Sequence, residues 1–294
     1  MTKRTIRKNG SRLLSFILVS VLVSSLLTSC AFTGSLIFER LDTYLADYFK
    51  NFAEFSEEQE NEINNFSQNY EEWVIKNHLK GLREIILKTK SADRAEYAVL
   101  LKEFDMGFRN FWKETNLFFV IPFTNFSESI TDTQIEQIQS YFLKSFNERG
   151  SSDKRSKPEF IEEVQERYVK GFGRLGISLN KEQKKIINSA ANNTHDILSD
   201  WRFNQEIWIN NLIIILHQRA ERSFARDLAT HLQSQQDIGS DEYKRRIESN
   251  RDITMQSIIK IFENLTMNQR QSLNKKLDLY ISIIDKVLLN SREN

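Results

Sequence analysis

The chain has 294 residues with 41 basic and 40 acidic side chains, so its formal net charge is only +1. That balance argues against a nucleic-acid-binding protein, which would carry a strongly basic face. The single cysteine excludes a disulfide-stapled fold, and the length suffices for one large or two small domains held together by a hydrophobic core.

The first residues form a targeting segment rather than part of the fold. The segment begins with five basic residues and no acid, namely Lys3, Arg4, Arg7, Lys8 and Arg12. The run 13–27 that follows is apolar or small, and it is shorter than the ~20 apolar residues of a spanning helix. We therefore interpret residues 1–29 as a cleaved signal peptide. Its removal leaves 36 basic and 40 acidic side chains, a net charge near −4.

The signal segment ends in Leu27-Thr28-Ser29-Cys30, which closely resembles the lipobox of bacterial lipoproteins. Small residues let a peptidase reach the bond between Ser29 and Cys30, and the free thiol of Cys30 can take a diacylglyceryl group. An ordinary signal peptide that ends near a cysteine is the alternative. The lipobox predicts a lipidated N-terminus with a short tether over residues 30–35, which anchors the protein to a membrane. Because Ala31 rather than aspartate follows Cys30, we expect an outer-membrane anchor facing the periplasm, with the periplasmic face of the inner membrane as the alternative.

Residues 36–294 are expected to form an all-α periplasmic domain of about eight to ten amphipathic helices. Glycine and proline are scarce, no alternating strand pattern is present, and apolar residues recur at helical spacing. A kink or break is expected at Pro122, and the loop 150–157 is an alternative sub-boundary within the domain. The expected helices lie near 36–52, 57–89, 92–120, 132–149 and 158–174, then from 181, then one long helix ending near 234, and finally 241–263 and 267–290.

One local pattern occurs four times: a capping residue, two variable positions, a glutamine, and an apolar residue four positions further on. The capping residue and its glutamine are Ser56 and Gln59, Thr131 and Gln134, Asn180 and Gln183, and Thr266 and Gln269. In such a capping box the first side chain accepts a backbone N–H of the first turn, and the glutamine reaches back to the N–H of the cap. We interpret the pattern as four helix starts rather than four ligand sites. Its irregular spacing excludes a strict solenoid but leaves an ancient duplication open.

Several of these residues together resemble a family of uncharacterised Gram-negative bacterial lipoproteins, classed as a domain of unknown function. The Arg-Leu-Asp-Trp element that follows the lipidated cysteine in that family is similar to Arg40-Leu41-Asp42 here. Thr43 stands where the family tends to have tryptophan, and Ala46 and Asp47 replace its proline and second tryptophan. The resemblance implies a localisation and a fold but no activity. The resemblance covers roughly residues 40–222. The other residues that support it are Tyr48, Phe52, the first three capping boxes, Trp201 and Trp208.

No catalytic or metal-binding constellation is recognisable, and no cofactor is expected. His217 and Glu221 would share a helix face, but two ligands do not make a metal site without a third. His195 is interpreted as part of a helix start near Thr194, since it and the adjacent Asp196 would not face each other on a helix. Nucleophile elbows and phosphate-binding glycine loops are absent. The sequence therefore predicts a protein that is not an enzyme.

An apolar run broken by a proline is the candidate binding surface, and a buried helix junction is its alternative. The run contains Phe118, Phe119, Ile121, Phe123 and Phe126. We expect a membrane-anchored, non-enzymatic helical interaction module of the cell envelope, which binds a protein that the sequence does not identify. A binder or carrier of an apolar ligand is the alternative function. An envelope enzyme whose residues converge only in three dimensions is a third.

Overall fold

The computed structural model describes residues 40–150, 155–234 and 238–293. The signal segment 1–29, Cys30 and the tether 30–35 lie outside the described residues. Every regular element within the described ranges is an α-helix, which confirms the predicted all-α class, and the eleven helices there exceed the expected eight to ten. They are α1 (Leu41–Lys50), α2 (Glu57–Asn77), α3 (Leu79–Ser91), α4 (Tyr97–Ser129), α5 (Asp132–Gly150), α6 (Lys157–Arg174), α7 (Lys181–Asn193), α8 (Leu198–His217), α9 (Phe224–Gln233), α10 (Asp241–Glu263) and α11 (Met267–Glu293).

Two helices that were expected to be continuous are each divided. The expected helix 57–89 breaks at His78, whose φ of −121° and ψ of −28° lie outside the helical range. The ring of His78 packs against Trp73 and Phe111, with centroids 4.4 and 4.7 Å apart, and this packing fixes the break without any glycine or proline. The expected helix ending near 234 is divided between α8 and α9, where the run 218–222, polar except for Ala220, interrupts the apolar spacing.

Of the kink or break expected at Pro122, the break is wrong, because α4 runs through the proline as one helix of 33 residues. A proline inside a helix loses one backbone hydrogen bond and costs about 3 kcal/mol. Phe119 lies before the proline and Phe126 after it, and both are buried in the same core. We infer that this shared packing offsets the cost of the proline.

The predicted helix start near Thr194 is also wrong. Thr194 is the C-terminal cap of α7, and α8 begins only at Leu198. The backbone N–H of Leu198 donates to the Asp196 carboxylate at 3.1 Å, which satisfies one of the free donors at the start of α8. The backbone N–H of His195 donates to Asn250 on α10 at 2.7 Å, so the α7–α8 connection is tied to a neighbouring helix.

Two larger clusters of buried side chains form the interior, and we call them the first core and the second core. The first core is built mainly from α1, α2, α4, α5, α8, α9 and α11, and many of its members are aromatic. The second core joins α6, α7, α10 and α11 with the start of α4, and most of its members are aliphatic. The helix pairs α1–α2, α5–α8, α4–α9, α3–α11 and α7–α10 make the main contacts between elements.

The described part of the loop 150–157 is fixed by Arg155. Its guanidinium donates to the Glu163 carboxylate at 2.7 Å and to Asp196 at 2.9 Å, and it lies over the Phe160 ring at 4.8 Å. These contacts join the segment before α6 to the segment before α8. None of the helices in the three described ranges is both long and apolar enough to cross a membrane.

Candidate functional site

The four capping residues and their glutamines lie at the starts of α2, α5, α7 and α11. Ser56 Oγ accepts the backbone N–H of Gln59 at 3.3 Å, and Gln59 Oε1 accepts the N–H of Ser56 at 3.0 Å. Asn180 makes the same reciprocal pair with Gln183, at 2.9 and 3.0 Å. The remaining two boxes repeat these bonds, between Thr131 and Gln134 and between Thr266 and Gln269.

The glutamines then pair across long stretches of sequence. Gln59 and Gln134 donate to each other through their side-chain amides, at 3.1 and 2.7 Å, and we call this pair the first clasp. Gln59 Nε2 also donates to the carbonyl of Ser129, and Gln134 Nε2 donates to the carbonyl of Glu54. Each of these carbonyls lies two residues before the partner's cap, so the first clasp ties together the starts of α2 and α5.

The second clasp repeats the same pattern with Gln183 and Gln269. Their amides donate to each other at 3.1 and 2.8 Å, and their second donors reach the carbonyls of Asn264 and Ser178 at 3.1 and 2.6 Å. Each glutamine therefore uses both of its N–H donors and accepts two hydrogen bonds at Oε1. This arrangement leaves the four glutamines no hydrogen-bonding capacity for a ligand, so the geometry fits helix capping and not four ligand sites.

The residues of the predicted apolar surface do not form one surface. Phe119 and Phe126 are buried, while Ile121 is 71 % exposed and points away from them. Phe118 packs against Tyr70 and Trp73, with ring centroids 5.3 Å from each. Helix geometry explains the division, because consecutive positions point in directions about 100° apart.

Phe119, Phe123 and Phe126 instead face a cavity of about 180 Å³ inside the first core. Its wall is almost wholly apolar, and it is built from α1, α2, α4, α5, α8 and α9 together with the segment between α1 and α2. Rings from α1 and α5 close part of the wall, and Phe52 and Phe142 meet there with centroids 4.9 Å apart. The volume is similar to that of an engineered apolar cavity of about 150 Å³ that takes benzene.

A few polar side chains also contribute to this wall. The Thr115 hydroxyl is bonded to Tyr70 at 3.0 Å, and the Ser127 hydroxyl donates to the carbonyl of Phe123 at 2.6 Å. Asn116 and Gln205 contribute to the wall as well. Trp208 differs, because its indole Nε1 is buried and has no hydrogen-bond partner.

The Trp208 ring stacks on His231, with ring centroids 4.6 Å apart and an interplanar angle of 22°. Burial lowers the pKa of His231, although a hydrogen bond to the backbone of Trp208 opposes that effect. His231 Nε2 is also buried without a partner. The two adjoining rings thus carry one unpaired donor and one unpaired nitrogen, both closed to solvent, and of the two residues only Trp208 lines the cavity.

A second candidate site is an exposed stripe along α8. Phe203, Ile207 and Ile214 are 63, 41 and 56 % exposed, and their spacing of four and seven residues places them on one face of the helix. The stripe extends over about 16 Å at 1.5 Å per residue. We call these three residues the α8 face.

Charged pairs flank the α8 face. Arg202 donates to Glu206 at 3.0 Å, and Arg246 donates to Asp200 at 3.0 Å. Exposed Asn210 and Asn211 lie between Ile207 and Ile214, and on α4 charged residues such as Lys102, Glu103 and Lys113 are interspersed among Val99, Met106 and Ile121. An apolar patch with a polar rim is typical of a binding surface, whereas single exposed apolar residues are common on any protein.

The histidines lie apart from one another. His217 Nδ1 is 3.6 Å from Asp132, and α8 ends at His217, so His217 and Glu221 do not share a helix face as expected. His195 Nε2 lies 3.3 Å from the Ser249 hydroxyl, and His78 Nε2 lies 3.5 Å from Glu114. Among the described residues, no three His, Cys, Asp or Glu side chains converge in a way that could hold a metal ion.

Sequence reasoning missed the α8 face and the Trp208–His231 stack. The available signal was α8 itself, whose large apolar residues occur on both its buried and its solvent-facing sides, among polar residues such as Asn210 and Asn211. An exposed stripe on it therefore marks a surface that is not covered within the described chain.

Comparison with known proteins identifies a family but no activity. No curated protein and no solved structure matches the chain. A family of unknown function, DUF6279, matches residues 51–244. The match begins after Arg40-Leu41-Asp42 and ends within α10, so it contains the first clasp and only Gln183 of the second. Because the match covers more than half of the sequence, this chain belongs to DUF6279, a family of unknown function.

Proposed function

We propose that the mature protein is a lipid-tethered, non-enzymatic interaction module whose α8 face binds another protein of the cell envelope. The observation that carries this proposal is the α8 face itself: Phe203, Ile207 and Ile214 expose large apolar side chains along one side of a helix whose opposite side is buried in the first core. Burial of such side chains against a partner is favourable by about 25 cal/mol per Å² of apolar area removed from water.

The tether supports a partner close to the membrane. Cys30 is the proposed lipid attachment site, and α1 begins at Leu41. A chain of this length spans at most about 40 Å. We propose an outer-membrane anchor that faces the periplasm, with the inner membrane as the alternative, and either anchor keeps the α8 face within reach of envelope proteins.

Site-specific photocrosslinking in living cells tests the α8 face. A photoreactive residue would replace Phe203, Ile207 or Ile214 in the full chain, and the matched controls would replace Ile121 on α4 and Val169 on α6, which are 71 and 47 % exposed. We expect the same protein adduct from the three α8 positions and from neither control. Phe203→Glu should abolish the adduct at position 214 while leaving the thermal unfolding midpoint nearly unchanged. Equal adducts from all five positions, or none from α8, would contradict the proposal.

Membrane fractionation tests the tether separately. Cys30→Ala should move the protein out of the outer-membrane fraction, because the thioether can no longer form, and globomycin should cause the uncleaved form of the wild-type chain to accumulate. A wild-type protein that fractionates as soluble, or a Cys30→Ala variant that partitions like the wild type, would show that lipidation at Cys30 is not the anchor.

The cavity favours a second candidate function, the binding of an apolar ligand. Pockets for drug-sized ligands usually have volumes of 300–1,000 Å³, and the cavity has about 180 Å³. Carriage of a whole phospholipid or sterol is therefore not supported by its size. The part of a ligand held inside this cavity is about the size of one ring.

A further inference from the structure

The two clasps lie at opposite ends of α4. At the start of α4, the Tyr97 ring lies 5.5 Å from the guanidinium of Arg270, the residue that follows Gln269 of the second clasp. At the end of α4, the carbonyl of Ser129 accepts a hydrogen bond from Gln59 of the first clasp. Because α4 has 33 residues, a rise of 1.5 Å per residue places the two clasps about 50 Å apart. Each clasp therefore marks a different end of the molecule.

The two ends carry opposite charges. Residues 51–62 and 127–137, which surround the caps of the first clasp, contain eight acidic and no basic side chains. Residues 167–187 and 260–276, which surround the caps of the second clasp, contain ten basic and two acidic side chains. We call residues 167–187 and 260–276 the basic end. The net charge near −4 of the mature chain therefore describes neither end of the molecule.

Helix stability does not explain the lysines at the start of α7. The N-terminus of a helix carries a partial positive charge, and acidic side chains in the first turn stabilise it. At the first clasp, α2 follows this rule with three glutamates in its first turn. At the second clasp, α7 has exposed Lys181, Lys184 and Lys185 in its first two turns, and the first turn of α11 contains no acid. The charges of the helix starts and of the lysines thus reinforce one another at the basic end.

We propose that the basic end lies against the anionic lipid headgroups of the membrane that holds the anchor. This inference rests on the lipid tether of the proposed function and is independent of the α8 face. A lipid anchor combined with a basic surface holds a protein at a membrane more firmly than one acyl chain alone. Each basic residue close to an anionic surface strengthens binding about fivefold. Met267, which is 82 % exposed at the start of α11, adds an apolar contact to this surface.

The position of the tether permits this orientation. Glu71 accepts the backbone N–H of Leu41 and thereby places the start of α1 beside α2. From Glu71, α2 and α3 lead to Ala92, whose carbonyl accepts a hydrogen bond from Arg270 of the basic end. That distance is about 30 Å at helical rise, and the tether spans at most about 40 Å. The first clasp is also within reach of the tether, so charge and not length decides which end meets the membrane.

Sedimentation with lipid vesicles tests the proposal. The protein is the mature chain with Cys30→Ala, so that acyl chains cannot cause the binding. The vesicles contain phosphatidylcholine alone or an equal mixture of phosphatidylcholine and phosphatidylglycerol. We expect binding to the anionic vesicles at least about tenfold tighter than to the neutral ones. High salt should remove this preference, because ions screen the charges of an exposed surface.

A charge reversal on α7 identifies the surface that binds. The variant combines Lys181→Glu, Lys184→Glu and Lys185→Glu, which lie on either side of Gln183 and leave the second clasp intact. It should weaken binding to anionic vesicles at least about tenfold. Its thermal unfolding midpoint should not fall, because acidic residues suit the start of a helix.

The matched control reverses three exposed lysines outside the basic end, with Lys76→Glu, Lys113→Glu and Lys144→Glu combined. It makes the same change in net charge and should weaken binding less than about threefold. Equal losses in the two variants, or equal binding to neutral and anionic vesicles, would overturn the proposal. In the second case, adducts between a photoreactive residue at position 184 and an acidic envelope protein would assign the basic end to a protein partner. Because the tested chain carries no lipid, the outcome does not depend on lipidation at Cys30.

Discussion

The first and second clasps use the same set of hydrogen bonds in two different interiors. In each clasp a glutamine from one helix start and a glutamine from another exchange amide hydrogen bonds and reach the carbonyl two residues before the partner's cap. The first clasp adjoins an aromatic core that contains a partly open cavity. The second clasp adjoins a mostly aliphatic core that includes Ile187, Ile261 and Leu273.

The comparison shows that the clasp fixes how two helices begin and does not fix how the space between helices is filled. Residues four positions after each glutamine are buried in both cores, with Ile63 and Leu273 almost fully enclosed. Branched aliphatic side chains can interdigitate closely, whereas flat rings meet edge to face at centroid distances of 5 to 6 Å. Such contacts are frequent around Phe49 in the first core. We infer that the identical clasps hold the helices, and that the cavity arises from the side chains between them.

The largest expected effect comes from removal of one clasp glutamine. Gln59→Ala and Gln183→Ala should each lower the free energy of unfolding by about 3 kcal/mol, because a cap N–H, a backbone carbonyl and the partner glutamine all lose a hydrogen bond in a buried place. Urea unfolding of the Cys30→Ala chain measures both. Gln68→Ala on α2, where the amide bonds only to the exposed Glu72, should cost less than about 0.5 kcal/mol.

Double variants test whether each clasp is a unit. Gln59→Ala with Gln134→Ala should cost at least about 1 kcal/mol less than the sum of the single variants, since the second removal deletes a group that has already lost its partner. Gln59→Ala with Gln269→Ala should be additive within about 0.5 kcal/mol, because the two residues belong to different clasps. Additivity in both pairs would mean that the glutamines act only as separate caps.

The next largest effect is expected in the turn between α6 and α7, which immediately precedes the cap of the second clasp. Gly176 has a φ of +76°, and a Cβ there would lie 3.1 Å from the backbone carbonyl of Ser272. Gly176→Ala should therefore cost about 2 kcal/mol, from the left-handed conformation and from the close approach to α11. Gly173→Ala, on α6 with open space around the new methyl group, should instead stabilise by about 0.5–1 kcal/mol, and thermal unfolding compares the pair. Equal effects would show that the turn is not constrained.

The sequence predicted the local part of this arrangement well. The all-α class and the helix starts follow from signals within three or four residues, such as Ser56 with Gln59. The pairing of Gln59 with Gln134 joins positions 75 residues apart, and no local pattern reports that contact. The break at His78 was missed for the same reason, since it depends on packing against Phe111 from another helix.

The candidate sites were predicted less completely. The run 118–126 indicated the correct region of α4, but only tertiary packing shows that Phe119, Phe123 and Phe126 line a cavity while Ile121 does not. The stack of Trp208 on His231 joins two helices and is equally invisible in the sequence. The break at Pro122 was predicted from the local effect of a proline on a helix. The sequence pattern did not show that Phe119 and Phe126, on either side of the proline, are buried in the same core.

A smaller effect compares the caps of the two clasps. Thr131→Ala and Thr266→Ala should each cost about 1 kcal/mol, because the threonine Oγ1 accepts the backbone N–H of Gln134 or of Gln269 at 3.2 Å. Thr133→Ala, at an exposed position two residues after the first of these caps, is the matched control and should change stability by less than about 0.5 kcal/mol. A neutral Thr131→Ala alongside a costly Thr266→Ala would show that the two clasps differ in energy despite their common geometry.

The smallest effect concerns α1, which belongs to the first core and whose cap, Arg40, makes no side-chain hydrogen bond. The Glu71 carboxylate of α2 accepts the backbone N–H groups of Leu41 and Asp42 in its place. Burial, followed by the nearby charges of Asp42 and Glu72, raises the pKa of Glu71 to about 7. The contribution of Glu71 to stability is therefore full below its unfolded value of about 4.5 and is lost as the pH rises through 7.

Glu71→Gln should remove that dependence. The stability of the variant relative to the wild type should increase between pH 4.5 and 8, by about 0.5–1 kcal/mol once solvent screening of this partly exposed group is allowed for. His231 changes stability in the opposite direction over part of this range, because its lowered pKa makes folding less favourable as the pH falls below about 6.5. That contribution is common to both proteins and cancels in the difference. Urea unfolding of both proteins at four pH values measures the difference in their free energies of unfolding. A difference that stays constant from pH 4.5 to 8 would mean that Glu71 does not titrate at the start of α1.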